Sequence, residues 1–80
     1  MNIDLELYKF FYAVAKNKNM TKASEELHIS QPAISQSIKK LEEQLGGTLF
    51  LRSNKGMELT EEGKMFFDYV KGALELINNA

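Results

Sequence analysis

A mainly α fold, with three short helices, a small β hairpin and a long fourth helix, is predicted by three features of this 80-residue chain. Ile34, Ile38, Leu41 and Leu45 recur at helical spacing and run into Gly46 and Gly47. A shorter amphipathic stretch precedes them, separated only by Ile29, Ser30 and Gln31. Beyond them, two β-compatible runs flank a turn-rich tetrapeptide, and a long helical segment opens at Thr60.

The first helix is expected from Asp4 to Lys16, where Leu7, Phe10, Phe11, Val14 and Ala15 match the spacing of one buried face. Asn17, Lys18 and Asn19 break it. Tyr8 and Tyr12, four residues apart, share a different face, open to solvent, a nucleic acid or a partner subunit. The second helix spans Thr21 to His28, with Thr21 as its cap and Met20, Ala23 and Leu27 turned inward.

The third helix starts firmly. Ser30 accepts from free backbone N–H groups, and Pro32 suits the first turn, where its missing donor costs nothing. Ile34, Ile38, Leu41 and Leu45 form one apolar stripe over roughly fifteen residues, and the glycine pair closes the helix in a left-handed conformation. The opposite face holds Pro32, Gln36, Lys39 and Glu43, flanked by Ser35 and Lys40. It is polar, basic in its middle and acidic toward its end.

Thr48 to Arg52 and Met57 to Leu59 are short strand candidates around Ser53, Asn54, Lys55 and Gly56, a turn of hairpin length. Thr60 then caps a helix running to about Asn78, with Glu61 and Glu62 in the first turn, where the helix dipole favours negative charge. Its apolar residues exceed one stripe. Phe66, Val70, Ala73 and Ile77 form one line, while Phe67 and Leu74, and Met65, Tyr69 and Leu76, widen the coverage. One face docks on the domain and a second is left for a partner. The whole order is that of a winged helix-turn-helix: a three-helix core, a two-stranded β wing and a long C-terminal linker and dimerisation helix. Residues 1–59 form the winged domain and residues 60–80 the linker helix.

Composition limits the remaining choices. With 44% hydrophobic and 26% charged residues the chain suits one small globular domain. The absence of cysteine removes disulfides and thiolate metal sites. Apolar runs are too short to cross a bilayer and Asp4 and Glu6 replace a basic leader, so a cytoplasmic protein with no membrane partner is expected. His28, the single histidine, sits where a positive charge complements a helix C-terminus. No converging ligands or nucleophile–base pair accompany it, so neither an enzyme, a metal site nor a cofactor is expected.

A net charge of −1 argues against a polyanionic partner until its distribution is read. Lys22, Lys39, Lys40, Arg52 and Lys55 cluster near the third helix and the hairpin, whereas Glu42 and Glu43 mark the far end of that helix. In a DNA groove its N-terminal half must lead, because phosphates repel the acidic end.

The run SQPAISQSIKKLEEQLGGTLFLR, preceded by ELYKFFYAVAKNKNMTKASEELHI and followed by LTEEG, resembles the N-terminal DNA-binding region of bacterial LysR-type transcriptional regulators over nearly the whole chain. The resemblance implies a recognition helix in the major groove, a wing along the backbone or minor groove, and a last helix that pairs two subunits. Carried over by position, Ser30, Gln31, Pro32, Ser35 and Gln36 face the groove, Arg52 matches the wing arginine and Thr60 the threonine that opens the linker helix. Charge and geometry add Lys39 and Lys55; Gln31, Ser35 and Gln36 are expected to discriminate bases, and Thr21, Lys39, Arg52, Lys55 and Thr60 to bind DNA by positioning its phosphate backbone. Phe66, Phe67, Tyr69, Val70, Ala73, Leu74, Leu76 and Ile77 are the dimerisation set.

The chain departs from the family's pattern at Ser24, where a second alanine is common, and at Gln36, where many members carry a basic residue. Glutamine bonds adenine bidentately where arginine prefers guanine, so base preference does not transfer. The effector-binding domain of that family lies outside these 80 residues, and no small-molecule ligand is expected within them. The expected function is sequence-specific binding of double-stranded DNA by a homodimer. Two alternatives compete: a helical interaction module that docks through residues 65–77 without binding DNA, and a winged helix of another regulator family.

Overall fold

The structure, a computed structural model, describes residues 5–54 and 56–78. Its elements are α1 (Leu5–Asn17), α2 (Met20–Leu27), α3 (Gln31–Leu45), β1 (Phe50–Ser53), β2 (Gly56–Leu59) and α4 (Glu61–Asn78). The two strands pair antiparallel, with Phe50 opposite Leu59 and Arg52 opposite Met57. This is the winged helix-turn-helix order that the sequence predicts. The expected start at Asp4 and the wing residue Lys55 lie outside the described residues.

The core gathers around α1. Phe11, Val14, Ala23 and Ile34 are fully buried, joined by Leu7, Ile38, Leu41, Leu49, Phe50, Met57 and Val70. The Phe11 ring lies 5.3 Å from Phe50 and 5.1 Å from Phe66, measured between centroids, and so bonds helix, wing and linker helix at one point. Tyr8 meets Phe66 edge-on at 5.6 Å, and Tyr12 stacks on Phe67 at 5.3 Å. These tyrosines therefore serve α4 of their own subunit, a correction to the expectation that they form an outer face. Phe10, expected in the core, is half-buried, and Ala13 is buried in its stead. The buried surface of α1 is wider than a single stripe because α2, α3 and α4 all pack on it.

Capping explains most boundaries. Lys18 adopts a left-handed conformation (φ 54°), and Asn19, not Thr21, caps α2 by accepting from the Lys22 N–H at 2.9 Å. Thr21 lies one residue inside the helix. The turn into α3 contains no glycine, and His28 takes the left-handed position (φ 57°), at a cost of about 1–2 kcal/mol for a non-glycine residue. Ser24 braces that turn: its hydroxyl donates to the Ile29 carbonyl at 2.5 Å, and its own carbonyl accepts from the Ile29 N–H at 3.2 Å. Ser30 caps α3 and Gly46 closes it (φ 76°), as expected. Leu45, expected on the buried stripe, is 47% exposed because α3 extends past the core.

The strands begin later than predicted. Thr48 and Leu49 are held by the start of α4 instead of by a strand partner, since the Thr60 hydroxyl donates to the Thr48 carbonyl at 2.6 Å and the Thr60 N–H to the Leu49 carbonyl at 3.0 Å. Thr60 also caps α4, its Oγ1 accepting from the Gly63 N–H at 2.9 Å. Gly63 packs directly on this junction. A methyl group there would overlap the Leu49 carbonyl oxygen, a backbone atom already fixed by Thr60. Gly63→Ala should therefore destabilise the domain by about 1–3 kcal/mol, read as a lower urea midpoint at unchanged m-value.

Candidate nucleic-acid interface

Burial of Ile34, Ile38 and Leu41 turns the other side of α3 outward. Gln31, Pro32, Gln36 and Lys39 are exposed along it, and Ser35 is half-buried at its edge. Ser30 is exposed and already occupied, its Oγ accepting from the Ala33 N–H at 3.4 Å. The first turn of α3 also presents the positive end of the helix dipole, a setting that suits an anion.

Two neighbouring elements complete the surface. Thr21, exposed on α2, accepts from Gln31 Nε2 at 3.1 Å, which orients the amide across the helix-turn-helix. From the wing, Arg52 reaches back so that Nη2 donates to Ser35 Oγ at 3.0 Å. Between them lies an open groove of about 540 Å³, lined by Thr21, Gln31, Pro32, Ser35 and Arg52 together with Asn19 and Met20, which the sequence reading did not select. Lys39 borders an adjoining recess with Ser35 and Arg52. Thus Thr21, Gln31, Pro32, Ser35, Lys39 and Arg52 come together, with Gln36 exposed on the same helix. Thr60 stands apart: its hydroxyl is engaged with Thr48 and Gly63 and has a structural role.

The wing is aimed at α3 by backbone bonds. The Met57 N–H donates to the Lys18 carbonyl at 3.2 Å, and Gly56 (φ 113°) rests against the same carbonyl, where a Cβ would come within 2.5 Å. At the other end of α3 the Glu42 carboxylate accepts from the N–H groups of Leu49 at 2.6 Å and Phe50 at 3.3 Å. In the sequence Glu42 stands only as a negative charge toward the end of α3. Its task depends on a partner seven residues away across two glycines, for which no local pattern exists.

The last helix presents a second surface. Val70, expected in the dimerisation set, is 2% exposed and belongs to the subunit's own core. Phe66, Phe67 and Leu74 pack against that core as well. The i, i+4, i+8 line along Phe66, Val70 and Leu74 is the stripe that packs on the core, so these residues, expected to pair subunits, do not form a free face. Ala73 is half-buried, whereas Met65, Tyr69, Leu76 and Ile77 are strongly exposed. Met65 and Tyr69 adjoin Leu45, Gly46 and Gly47 at the end of α3, forming one apolar patch.

No helix among the described residues is long and apolar enough to cross a membrane, and no group of three His, Asp or Glu stands ready to hold a metal ion.

Residues 5–64 match the family model described as bacterial regulatory helix-turn-helix protein, lysR family. The chain is 46% identical over 66 residues to the HTH-type transcriptional regulator BudR of Klebsiella aerogenes, covering 82% of this chain and 46% of that protein. Among solved structures, the complex of the BenM DNA-binding domain with catB site 1 DNA matches with a TM-score of 0.92 at 34% identity, over 96% of this chain and 86% of that one. The CbnR DNA-binding domain–DNA complex matches with a TM-score of 0.89 at 39% identity, over 96% and 88%. The chain spans less than half the length of the curated relatives it matches first.

The Glu42 clamp fixes the loop that joins the helix-turn-helix to its wing. Glu42→Ala should cost about 1–3 kcal/mol in unfolding free energy and accelerate amide exchange at Leu49 and Phe50, whereas Glu42→Gln, which keeps an acceptor, should cost less.

Proposed function

The chain belongs to the lysR family of bacterial regulatory helix-turn-helix proteins, and from that premise we propose that it binds double-stranded DNA sequence-specifically as a homodimer. In this reading it is the DNA-binding region of a cytoplasmic transcriptional regulator. The observation that carries the proposal is the convergence of Gln31, Ser35 and Arg52 from helix and wing on one open groove, with Ile34, Ile38 and Leu41 of α3 turned inward. The relatives named above are transcriptional regulators, and their structural counterparts from CbnR and BenM hold DNA, which supports the same partner and a role other than catalysis here.

Labour divides by chemistry. Gln31, Ser35 and Gln36 discriminate base edges, with Ser30 and Pro32 shaping the helix entry. Thr21, Lys39, Arg52 and Lys55 contact the phosphate backbone, which positions the protein without reading sequence. Residues 1–59 do the reading, and residues 60–80 link and pair subunits through Tyr69, Ala73, Leu76 and Ile77, with Met65 joining them.

Selection from a random duplex pool should recover an inverted repeat with half-sites about one helical turn apart. Binding that is undetectable, or indifferent to salt, would sink the proposal in favour of a protein-docking module. On a recovered site, Gln36→Ala should relax preference at one position in each half-site, while Lys39→Ala should weaken all sequences alike and lower the salt slope by about one. Leu76→Glu, which sets a charge in the exposed apolar face, should shift sedimentation toward the monomer and weaken binding to the full repeat more than to a half-site.

A further inference from the structure

Ser35 and Arg52 lie 17 residues apart, one on α3 and one on the wing, and their side chains meet across the groove at 3.0 Å. Arg52 is exposed on β1, opposite Met57 in the ladder, and nothing in the strand itself would hold so long a side chain in one direction. Ser35 is half-buried on a helix whose opposite side is locked in the core, so its hydroxyl is the stiffer member of the pair. The bond also orients the hydroxyl. With a lone pair facing a guanidinium, the O–H turns away from that positive charge, toward whatever acceptor enters the groove, a phosphate oxygen or an acceptor edge of a base.

We infer that Ser35 is a positioning residue for Arg52: its hydroxyl holds the guanidinium at the mouth of the groove before DNA arrives, so that helix and wing engage the duplex as one unit. The inference rests on the DNA-binding reading above. An arginine held in its bound direction loses less freedom on association than one free to sweep solvent. Ser35 thus contributes to a charge contact that it does not itself make.

The test is a double-mutant cycle on the 80-residue chain, titrating a recovered duplex at several salt concentrations with Ser35→Ala, Arg52→Ala and the double variant. Arg52→Ala is expected to weaken binding about tenfold and to lower the salt slope by about one. Ser35→Ala is expected to weaken it about threefold and to lower the slope as well, although it removes no charge. The double variant should keep the salt slope of Arg52→Ala alone, since a base contact made by Ser35 itself carries no charge, and Ser35→Thr, which keeps the hydroxyl, should restore the slope. Urea midpoints unchanged from the parent would exclude a folding defect as the cause. A Ser35→Ala variant whose slope equals the parent's, or a double variant whose slope falls further below that of Arg52→Ala, would overturn the inference while leaving the DNA-binding reading standing. Failure of the unaltered chain to bind duplex DNA would overturn both.

Discussion

The Phe11 ring is the constraint on which the rest of the molecule depends. It is fully buried and lies within 5.1–5.3 Å of Phe66 on α4 and Phe50 on β1, so three elements share one contact. Each aromatic pair adds about 0.5–1.5 kcal/mol beyond its buried area, and loss of a buried phenylalanine costs about 3–5 kcal/mol. In a domain of 80 residues with no disulfide, that is a large share of the total stability. The wing and the linker helix are therefore rigid extensions of α1, not appendages that adjust independently.

Around that anchor, a few polar bonds set direction. Apolar packing fixes which elements touch but is nearly indifferent to rotation and sliding, whereas a hydrogen bond to a named backbone atom is not. Lys18 to Met57, Glu42 to Leu49 and Phe50, and Thr60 to Thr48 and Leu49 tie the hairpin at its two ends. The groove exists because these ties hold the wing beside the first two turns of α3. Arg52 can reach Ser35 only from that angle.

These two kinds of interaction explain what was legible in the sequence. The core face of α3, its Ser30 cap and its Gly46 stop are local patterns, and they are where periodicity and capping chemistry indicate. The outer face of α3, with Pro32, Gln36 and Lys39 and Ser35 at its flank, follows from the same periodicity as the side left over, whereas Ser30 and Gln31 enter the groove-facing set through the family resemblance. Arg52 was selected on resemblance, but its reach to Ser35 is a tertiary fact with no local trace. Tyr8, Tyr12 and Val70 were misassigned for a related reason: α1 and α4 each carry more than one apolar line, and which line is buried depends on where the partner helix crosses. Thr21 lost the cap to Asn19 because Lys18 turns left-handed one residue earlier, to meet the wing.

The two ends of α3 carry opposite chemistries, and its stiffness links them. Its first turns line the polar groove, while Leu45 at its last turn joins Met65 and Tyr69 of α4 in an apolar patch. At about 1.5 Å per residue, the ten to fourteen residues between Gln31–Ser35 and Leu45 separate the two surfaces by about 15–21 Å. If a second copy covers the patch, the two-fold axis passes near the C-terminal ends of both α3 helices and the groove-lining ends point away from it. Separation of the two reading surfaces is then fixed by helix length and by the angle at which the α4 helices cross, since α3 is clamped at both ends and cannot tilt to adapt. Gly72, exposed, and Ala73, half-buried, are the small residues on that side of α4, and small side chains there would let a second helix approach closely.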